Sequence, residues 1–417
     1  MKLLVVGKGG REHALITAIA NSPTETDIYS FPGSDAIAEF ATVVDVDGLD
    51  GLIDWMVAEK VDLCVAGEES YLLKGEGLAN RCKASGIPCW GPEKRPAHLE
   101  GSKEFAKKFM MRHGIPTGAY QAVETAEEAK AAISGYPTVL KFDGLAAGKG
   151  VAVCADESTA DGFLSDVMVD RKFGPGRMVV EEFLEGPELS VFVSVVDGDY
   201  HILALARDYK RIGDGDAGLN TGGRGAVSSL HLVDDALRAK IEDEVVKPTV
   251  AGLQKDEMGY RGFLYFGLML TADGPKIIEY NCRFGDPECQ AVMPLVTGDF
   301  AAYVYSAAKG ELQPGLIGLK DEWSICVILA SAGYPESSRS GDMISGLGEV
   351  GGARVYHAGT KLAGEGVFET HGGRVLAVVA QGESRNEARE KVYREADKVS
   401  FDGMQRRSDI GQLHFED

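Results

Sequence analysis

Three residues raise the chemical question. Glu279, Asn281 and Arg283 follow the apolar run Lys276-Ile277-Ile278 within Glu279-Tyr280-Asn281-Cys282-Arg283-Phe284-Gly285-Asp286-Pro287-Glu288. The run reads as a strand emerging at the edge of a sheet. In an extended chain, side chains at i, i+2 and i+4 share a face and repeat every ~6.6 Å, so the three would project together. A carboxylate beside an amide oxygen makes a hard donor pair suited to Mg²⁺ rather than zinc. A guanidinium next to it suits an anion that the metal also holds. Phosphoryl transfer would use all three, although ordinary surface polars at a strand end give the same string.

Other stretches carry compatible chemistry. Ser102 caps an expected helix over 102–112 and puts Lys103 in its first turn, where a cation opposes the helix dipole and hints at a phosphate partner. Thr138-Val139-Leu140-Lys141 and Val151-Ala152-Val153 read as a hairpin joined by Phe142-Asp143-Gly144-Leu145-Ala146-Ala147-Gly148-Lys149-Gly150. No Ser or Thr follows that lysine and no helix begins there, so this is not a Walker A loop. It reads as a mobile flap able to close over nucleotide phosphates and exclude water. The strand Met178–Phe183 runs into Glu181-Glu182-Phe183-Leu184-Glu185-Gly186-Pro187-Glu188, whose acids suit an adenine amino group and a ribose. A long polar loop from Arg207 through Lys210 to Asn220-Thr221-Gly222-Gly223-Arg224-Gly225 is of the kind that usually carries function.

These residues need a scaffold. Residues 1–101 alternate strand and helix, the pattern of a doubly wound parallel sheet. Its first turn, Gly7-Lys8-Gly9-Gly10-Arg11-Glu12-His13, opens a helix whose bare N–H groups and positive dipole end suit an anion. The turn lacks the third glycine of a dinucleotide fingerprint, which favours a single phosphate. Gly91-Pro92 and Arg95-Pro96 punctuate a boundary, and a long helix is expected over Asp234–Gln254. After Gly310 come short strands and a closing helix, taken as a separate unit from 313.

Bulk properties narrow the class. The 417 residues are 44% hydrophobic, and no apolar run is long enough to span a bilayer. The N-terminal apolar run is too short for a signal peptide, so a cytoplasmic protein is expected. Net charge is −21, without a dense Lys/Arg run, which argues against nucleic acid as a partner. Seven scattered cysteines (Cys64, Cys82, Cys89, Cys154, Cys282, Cys289 and Cys326) include no Cys-x-x-Cys pair and read as buried free thiols rather than a metal cluster.

In this order the pieces resemble the ATP-grasp ligases, and among them the phosphoribosylamine–glycine ligases of purine biosynthesis. The likeness rests on Gly-Gly-Arg-Glu-His-Ala at 9–14, Leu-Glu-Gly-Ser-Lys at 99–103 and Asp-Gly-Leu-Ala-Ala-Gly-Lys-Gly-Val at 143–151. It extends through Asn-Thr-Gly-Gly at 220–223, Asn-Cys-Arg-Phe-Gly-Asp-Pro-Glu at 281–288, His-Ala-Gly-Thr-Lys at 357–361 and Gly-Gly-Arg-Val-Leu at 372–376. The resemblance implies an N-terminal α/β substrate-binding domain over 1–101, an ATP-grasp domain over 102–312 with a flap subdomain at about 117–190, and a small β-rich domain over 313–417. It implies that Lys103 and Lys141 hold ATP phosphates under a flap including Gly144, Ala147, Gly148, Lys149 and Gly150, with Glu181, Glu182, Leu184 and Glu188 at adenine and ribose. Glu279 and Asn281 would ligate Mg²⁺ or Mn²⁺, and Arg283 would stabilise the transferred phosphoryl and the acyl phosphate. Gly9, Gly10, Arg11, Glu12, Lys210, Asn220, Thr221, Gly222, Lys361 and Arg374 would meet the other substrates, glycine and phosphoribosylamine. The implied protein is a monomer.

Three stretches depart from the family pattern. Pro32-Gly33-Ser34-Asp35-Ala36 stands for Pro-Gly-Asn-x-Gly, and Gly67-Glu68-Glu69-Ser70-Tyr71-Leu72 for Gly-Pro-Glu-x-Pro-Leu. Gly218-Leu219-Asn220-Thr221-Gly222-Gly223-Arg224-Gly225-Ala226 stands for Gly-Pro-Asn-Thr-Gly-Gly-Met-Gly-Ala. They leave open tolerated drift, a related ligase for a different acid or amine, or a catalytically silent nucleotide-binding paralogue.

Overall fold

The structure, a computed structural model, describes residues 1–144, 146 and 149–412. Leu145, Ala147 and Gly148 of the expected flap lie outside the described residues, as do 413–417.

The N-terminal sheet is parallel, as its strand–helix alternation predicts. Strands β1 (Lys2–Gly7), β2 (Asp27–Pro32), β3 (Thr42–Val43), β4 (Leu63–Ala66) and β5 (Cys89–Trp90) lie in the order β3-β2-β1-β4-β5. Both faces are covered: Leu4, Val6 and Cys64 enter one core cluster, while Leu3, Val5 and Val65 enter another, so the strands read as continuous apolar runs. Helices α1 (Gly10–Ala20), α2 (Gly48–Glu59), α3 (Glu69–Leu73) and α4 (Leu78–Ala84) belong to this part. The boundary punctuation at Arg95-Pro96 lies inside α5 (Lys94–Gly101). Pro96 is tolerated there because first-turn N–H groups have no helical partner to lose. Helix α6 (Lys103–Arg112) follows directly, with Ser102 accepting from Phe105 N at 3.1 Å as its cap.

Strands β6 (Tyr120–Val123), β7 (Thr138–Asp143), β8 (Val151–Cys154) and β9 (Arg177–Glu182) form a four-stranded sheet ordered β6-β9-β7-β8, with its own core around Leu140, Phe142 and Met178. The expected hairpin is the antiparallel pair β7–β8, with Lys141 opposite Val151.

The central sheet contains β10 (Glu188–Val196), β11 (Asp199–Asp208), β14 (Gly225–Ser228), β15 (Arg261–Thr271), β16 (Gly274–Asn281), β19 (Trp323–Ala330), β20 (Arg354–His357) and β23 (Arg374–Gly382). Its order, β16-β15-β10-β11-β14-β19-β23-β20, puts the Glu279 strand at an edge, as expected. The sheet also crosses residue 313 without interruption. Gly225–Ser228 pairs with Ser324–Val327, so the last part of the chain extends the central sheet. Three ribbons complete the strands: β12 (Arg211–Gly213) with β13 (Ala217–Asn220), β17 (Val296–Gly298) with β18 (Ile317–Leu319), and β21 (Thr360–Gly364) with β22 (Val367–Thr370). The long helix expected over 234–254 is α-helical at Asp235–Ile241 and Lys247–Lys255, with a π-helical turn at Glu242–Val246. Pro248 is the second residue of the second segment, and the widened turn just before it makes room for a ring that would clash with a regular preceding turn.

Candidate active site

Cations gather where the four-stranded sheet meets the β15–β16 edge, the candidate ligand cleft. Lys141 Nζ, buried on β7, donates to Glu181 Oε2 at 2.9 Å and to the Ile278 carbonyl at 2.8 Å. Lys107, one helical turn beyond Lys103 on α6, reaches the same Glu181 oxygen at 3.0 Å and donates to Thr117 Oγ1 at 2.8 Å and the Gly118 carbonyl at 3.0 Å. Burial lowers the Lys107 ammonium to about 8 despite Glu181. Glu181 therefore spends its carboxylate on two buried lysines, and Lys107 is a contributor that sequence reasoning missed. Its i, i+4 spacing from Lys103 was the available signal. Glu182 is exposed and accepts from Ala119 N at 3.0 Å, while Leu184 is buried.

The base of the flap is tied to α6. Lys103 Nζ donates to the Gly144 carbonyl at 2.9 Å, and Asp143 Oδ1 accepts from Ser102 Oγ at 3.0 Å and Glu104 N at 3.2 Å. An anion thus already lies at the α6 N-terminus, where the dipole favours one. Burial lowers the Lys103 pKa. Gly150 is buried and Lys149 exposed.

Glu279 stands at the cleft mouth opposite Gly267, whose missing side chain leaves it room: a Cβ there would lie 2.7 Å from Glu279 Cγ. Burial works against its charge, yet Lys210, Lys141, Arg283 and Lys103 together hold its pKa below the ordinary value. Lys210 lies between two carboxylates, 2.6 Å from Glu188 Oε2 and 3.7 Å from Glu279 Oε1. Asp208 and Glu288, both pushed up by burial, also face Lys210. Glu188 thus stands on the Lys210 side. An ionised carboxylate and the Asn281 amide oxygen are hard donors that fit a divalent cation, which would compete with the Lys210 ammonium for Glu279 Oε1.

Arg283 lies in the bend just past the end of β16, so it faces α3 and α5 of the N-terminal region. Its guanidinium contacts Asn281 Oδ1 at 3.1 Å, Glu69 Oε2 at 3.1 Å, Glu100 Oε1 at 2.7 Å and the Phe284 carbonyl at 3.2 Å. Arg11 joins this cluster, donating to Glu12 Oε1 at 2.6 Å and to the Phe284 carbonyl at 3.3 Å. Burial opposes the Glu69 charge, but Arg283 and Arg11 bring its carboxyl down to about 2. Burial pushes Glu100 up to about 7. Glu69 and Glu100 also escaped the sequence reading. Glu69 sits in the Gly67–Leu72 stretch, but its partner Arg283 is 214 residues away.

The first turn differs from expectation in one respect. The Gly9 N–H is not bare: it donates to Glu12 Oε2 at 2.7 Å. Gly7 and Gly67 explain how Glu12 fits, because a Cβ on Gly7, at φ +138°, would lie 2.4 Å from Glu12 Cγ, and one on Gly67 2.6 Å from Glu12 Oε1. Gly10 is buried against Gln290.

Arg374 on β23 bridges three parts of the chain. It pairs with Asp286 Oδ2 at 2.9 Å and donates to the carbonyls of Asp286 at 2.6 Å and Gly222 at 2.5 Å. Thr221 bonds the Lys210 carbonyl through both its N–H and Oγ1 at 2.8 Å, Gly222 N donates to Tyr334 Oη at 2.9 Å, and Asn220 lies opposite Arg211. Lys361 is exposed on β21, where the neighbouring Leu362 N–H donates to Asp35 Oδ2 at 2.7 Å.

Comparison with known proteins finds relatives over nearly the whole chain. Residues 1–100 match the N domain of phosphoribosylglycinamide synthetase, 101–289 its ATP-grasp (A) domain and 324–413 its C domain. A phosphoribosylamine–glycine ligase of Caldanaerobacter subterraneus subsp. tengcongensis is 41% identical over 416 residues, covering 98% of this chain and 99% of the relative. One from Yersinia pestis is 41% identical over 423 residues, covering 99% and 98%. The crystal structure of the Thermotoga maritima phosphoribosylamine–glycine ligase superposes with a TM-score of 0.85 at 34% identity, covering 98% of this chain and 100% of that one. A biotin carboxylase from Campylobacter jejuni, at 18% identity, TM-score 0.72 and coverage of 97% and 92%, shares the fold alone. The chain belongs to the phosphoribosylglycinamide synthetase family, an N domain, an ATP-grasp domain and a C domain in series.

Proposed function

We propose that this chain is the ATP-dependent ligase of purine biosynthesis that joins glycine to 5-phosphoribosylamine, giving glycinamide ribonucleotide, ADP and phosphate. The observation that supports it most is the ionised Glu279 with Asn281 among Lys103, Lys141, Lys210 and Arg283, in a chain similar to phosphoribosylamine–glycine ligases over nearly its full length. The glycine carboxylate attacks the γ-phosphate of ATP and releases ADP. The amine then attacks the glycyl phosphate carbonyl, and phosphate departs. Positioning and charge neutralisation supply most of the catalysis.

In this reading Lys103 and Lys141 neutralise nucleotide phosphates. Residues 144–151 shield the acyl phosphate from water, Glu181–Leu184 bind adenine, and Glu188 binds ribose. Glu279 and Asn281 would hold Mg²⁺ or Mn²⁺, which supplies charge neutralisation at the phosphates. Arg283 steadies the phosphoryl charge while Glu69 and Glu100 fix its orientation. Residues 9–12, Lys210, Asn220–Gly222, Lys361 and Arg374 receive glycine and the phosphoribosyl group. The functional units are 1–101, 102–312 and 313–417, acting as a cytoplasmic monomer on small molecules. Among the described residues no helix is long and apolar enough to cross a membrane.

A different amine is the second reading, and one observation favours it. Arg224 replaces the family's methionine; it is 1% exposed, packs 5.7 Å from the Tyr334 ring, and its Nε and Nη1 have no hydrogen-bond partner among the described residues. ADP release with Mg-ATP and glycine, with and without fresh phosphoribosylamine, separates the readings. Release that requires both substrates supports the ligase. Release only with another amine moves the assignment to that substrate.

A further inference from the structure

Three of the seven cysteines converge although the sequence shows no metal-type spacing among them. Cys64 on β4 lies opposite Cys89 on β5, and Cys82 approaches from α4. Their Sγ atoms all lie within 4.8 Å of one another. Among the described residues no histidine or carboxylate joins this group. Cys64 and Cys82 are fully buried in an apolar core cluster, and Cys89, only partly buried, packs against it.

We propose that Cys64, Cys82 and Cys89 form a three-coordinate site for a soft monovalent cation of the Cu(I) class. The geometry requires little movement: three sulfurs at ~2.3 Å from one ion would stand about 4 Å apart. The chemistry selects the ion. An all-sulfur donor set favours Cu(I), zinc and iron–sulfur species over hard cations, and structural zinc sites take four ligands. The site would clamp β4, β5 and α4 together, apart from the ligase cleft. It does not rest on the ligase reading.

The full-length protein, reduced and kept anaerobic with Mg²⁺ in excess, is titrated with Cu(I) against bathocuproine disulfonate. The expected result is one Cu(I) per chain withheld from the chelator. Cys82→Ser and Cys89→Ser should each weaken retention on the order of 10²-fold, while Cys154→Ser, outside the cluster, leaves it unchanged. Cys89 is partly exposed, so its serine variant decides the matter if Cys82→Ser does not fold; circular dichroism and ADP release report folding. Complete loss of copper to the chelator from the parent protein, or retention unaffected by Cys89→Ser, would overturn the site.

Discussion

Two charge clusters line the cleft, and they are assembled over very different distances in sequence. The nucleotide floor, Lys107 and Lys141 on Glu181, draws on three nearby elements of the ATP-grasp region. The junction cluster joins Arg11, Glu69 and Glu100 from one side of the molecule to Arg283, Asp286 and Arg374 from the other. In the floor one acid serves two lysines, so cationic character is left over for phosphates. At the junction each arginine is met by carboxylates, so charge goes into holding parts of the chain in register. A local cluster has cationic charge to spare for a ligand, whereas the arginines of the long-range one are already paired with carboxylates and would meet a ligand from fixed positions.

Removing Arg283 should break the contrast most severely. Arg283→Ala leaves buried Glu100 without its cation and half-buried Glu69 with only Arg11, and we predict a loss of about 3 kcal/mol in unfolding free energy by denaturant titration. Unchanged stability would show that the junction is not held by this pair. At the cleft mouth, Glu279→Ala should lower ADP release on the order of 10²–10³-fold while calorimetry still detects weakened ATP binding. Near-normal turnover would remove Glu279 from the metal assignment.

The two junction acids should separate by pH. Glu69 titrates at about 2 in the folded protein against an ordinary 4.5, so the unfolded chain binds more protons between those values. Its contribution is present above pH 4.5 and lost as pH falls toward 2. Glu100, at about 7, has the opposite sign: the folded protein holds the proton, so stability declines as pH rises from 4.5 through 7. Glu100→Gln should flatten that decline in thermal unfolding measured across this range, and an unaltered slope would contradict it. The smallest effect belongs to Lys361, which is exposed. Lys361→Ala should raise KM for the phosphorylated amine several-fold, roughly 1 kcal/mol, and leave KM for ATP unchanged. The reverse pattern would move Lys361 away from the phosphoribosyl group.

Much of the fold was legible because apolar periodicity is local. Leu3–Val6, Asp62–Ala66 and Met178–Phe183 announce strands, and Ser102 announces a helix start that the structure repeats. Helix α3 was missed because five residues are too few to show a helical repeat, and α5 because Pro96 reads as a break until its first-turn position is known. The π-helical turn before Lys247-Pro248 interrupts what periodicity presents as one helix.

The sequence by itself determined the residue types that can bind phosphate and metal and the spacing that puts Glu279 and Asn281 on one edge strand, since strand geometry alone sets that relation. Only the tertiary structure decided which of those charges are spent. Lys107 beneath Glu181, Glu69 and Glu100 around Arg283, Gly9 bonded back to Glu12, and three cysteines gathered in one pocket are all outcomes of packing. Burial strengthens the pull between charges and raises the cost of leaving one unpaired, so each side chain's partner is settled by elements that meet only when the chain has folded.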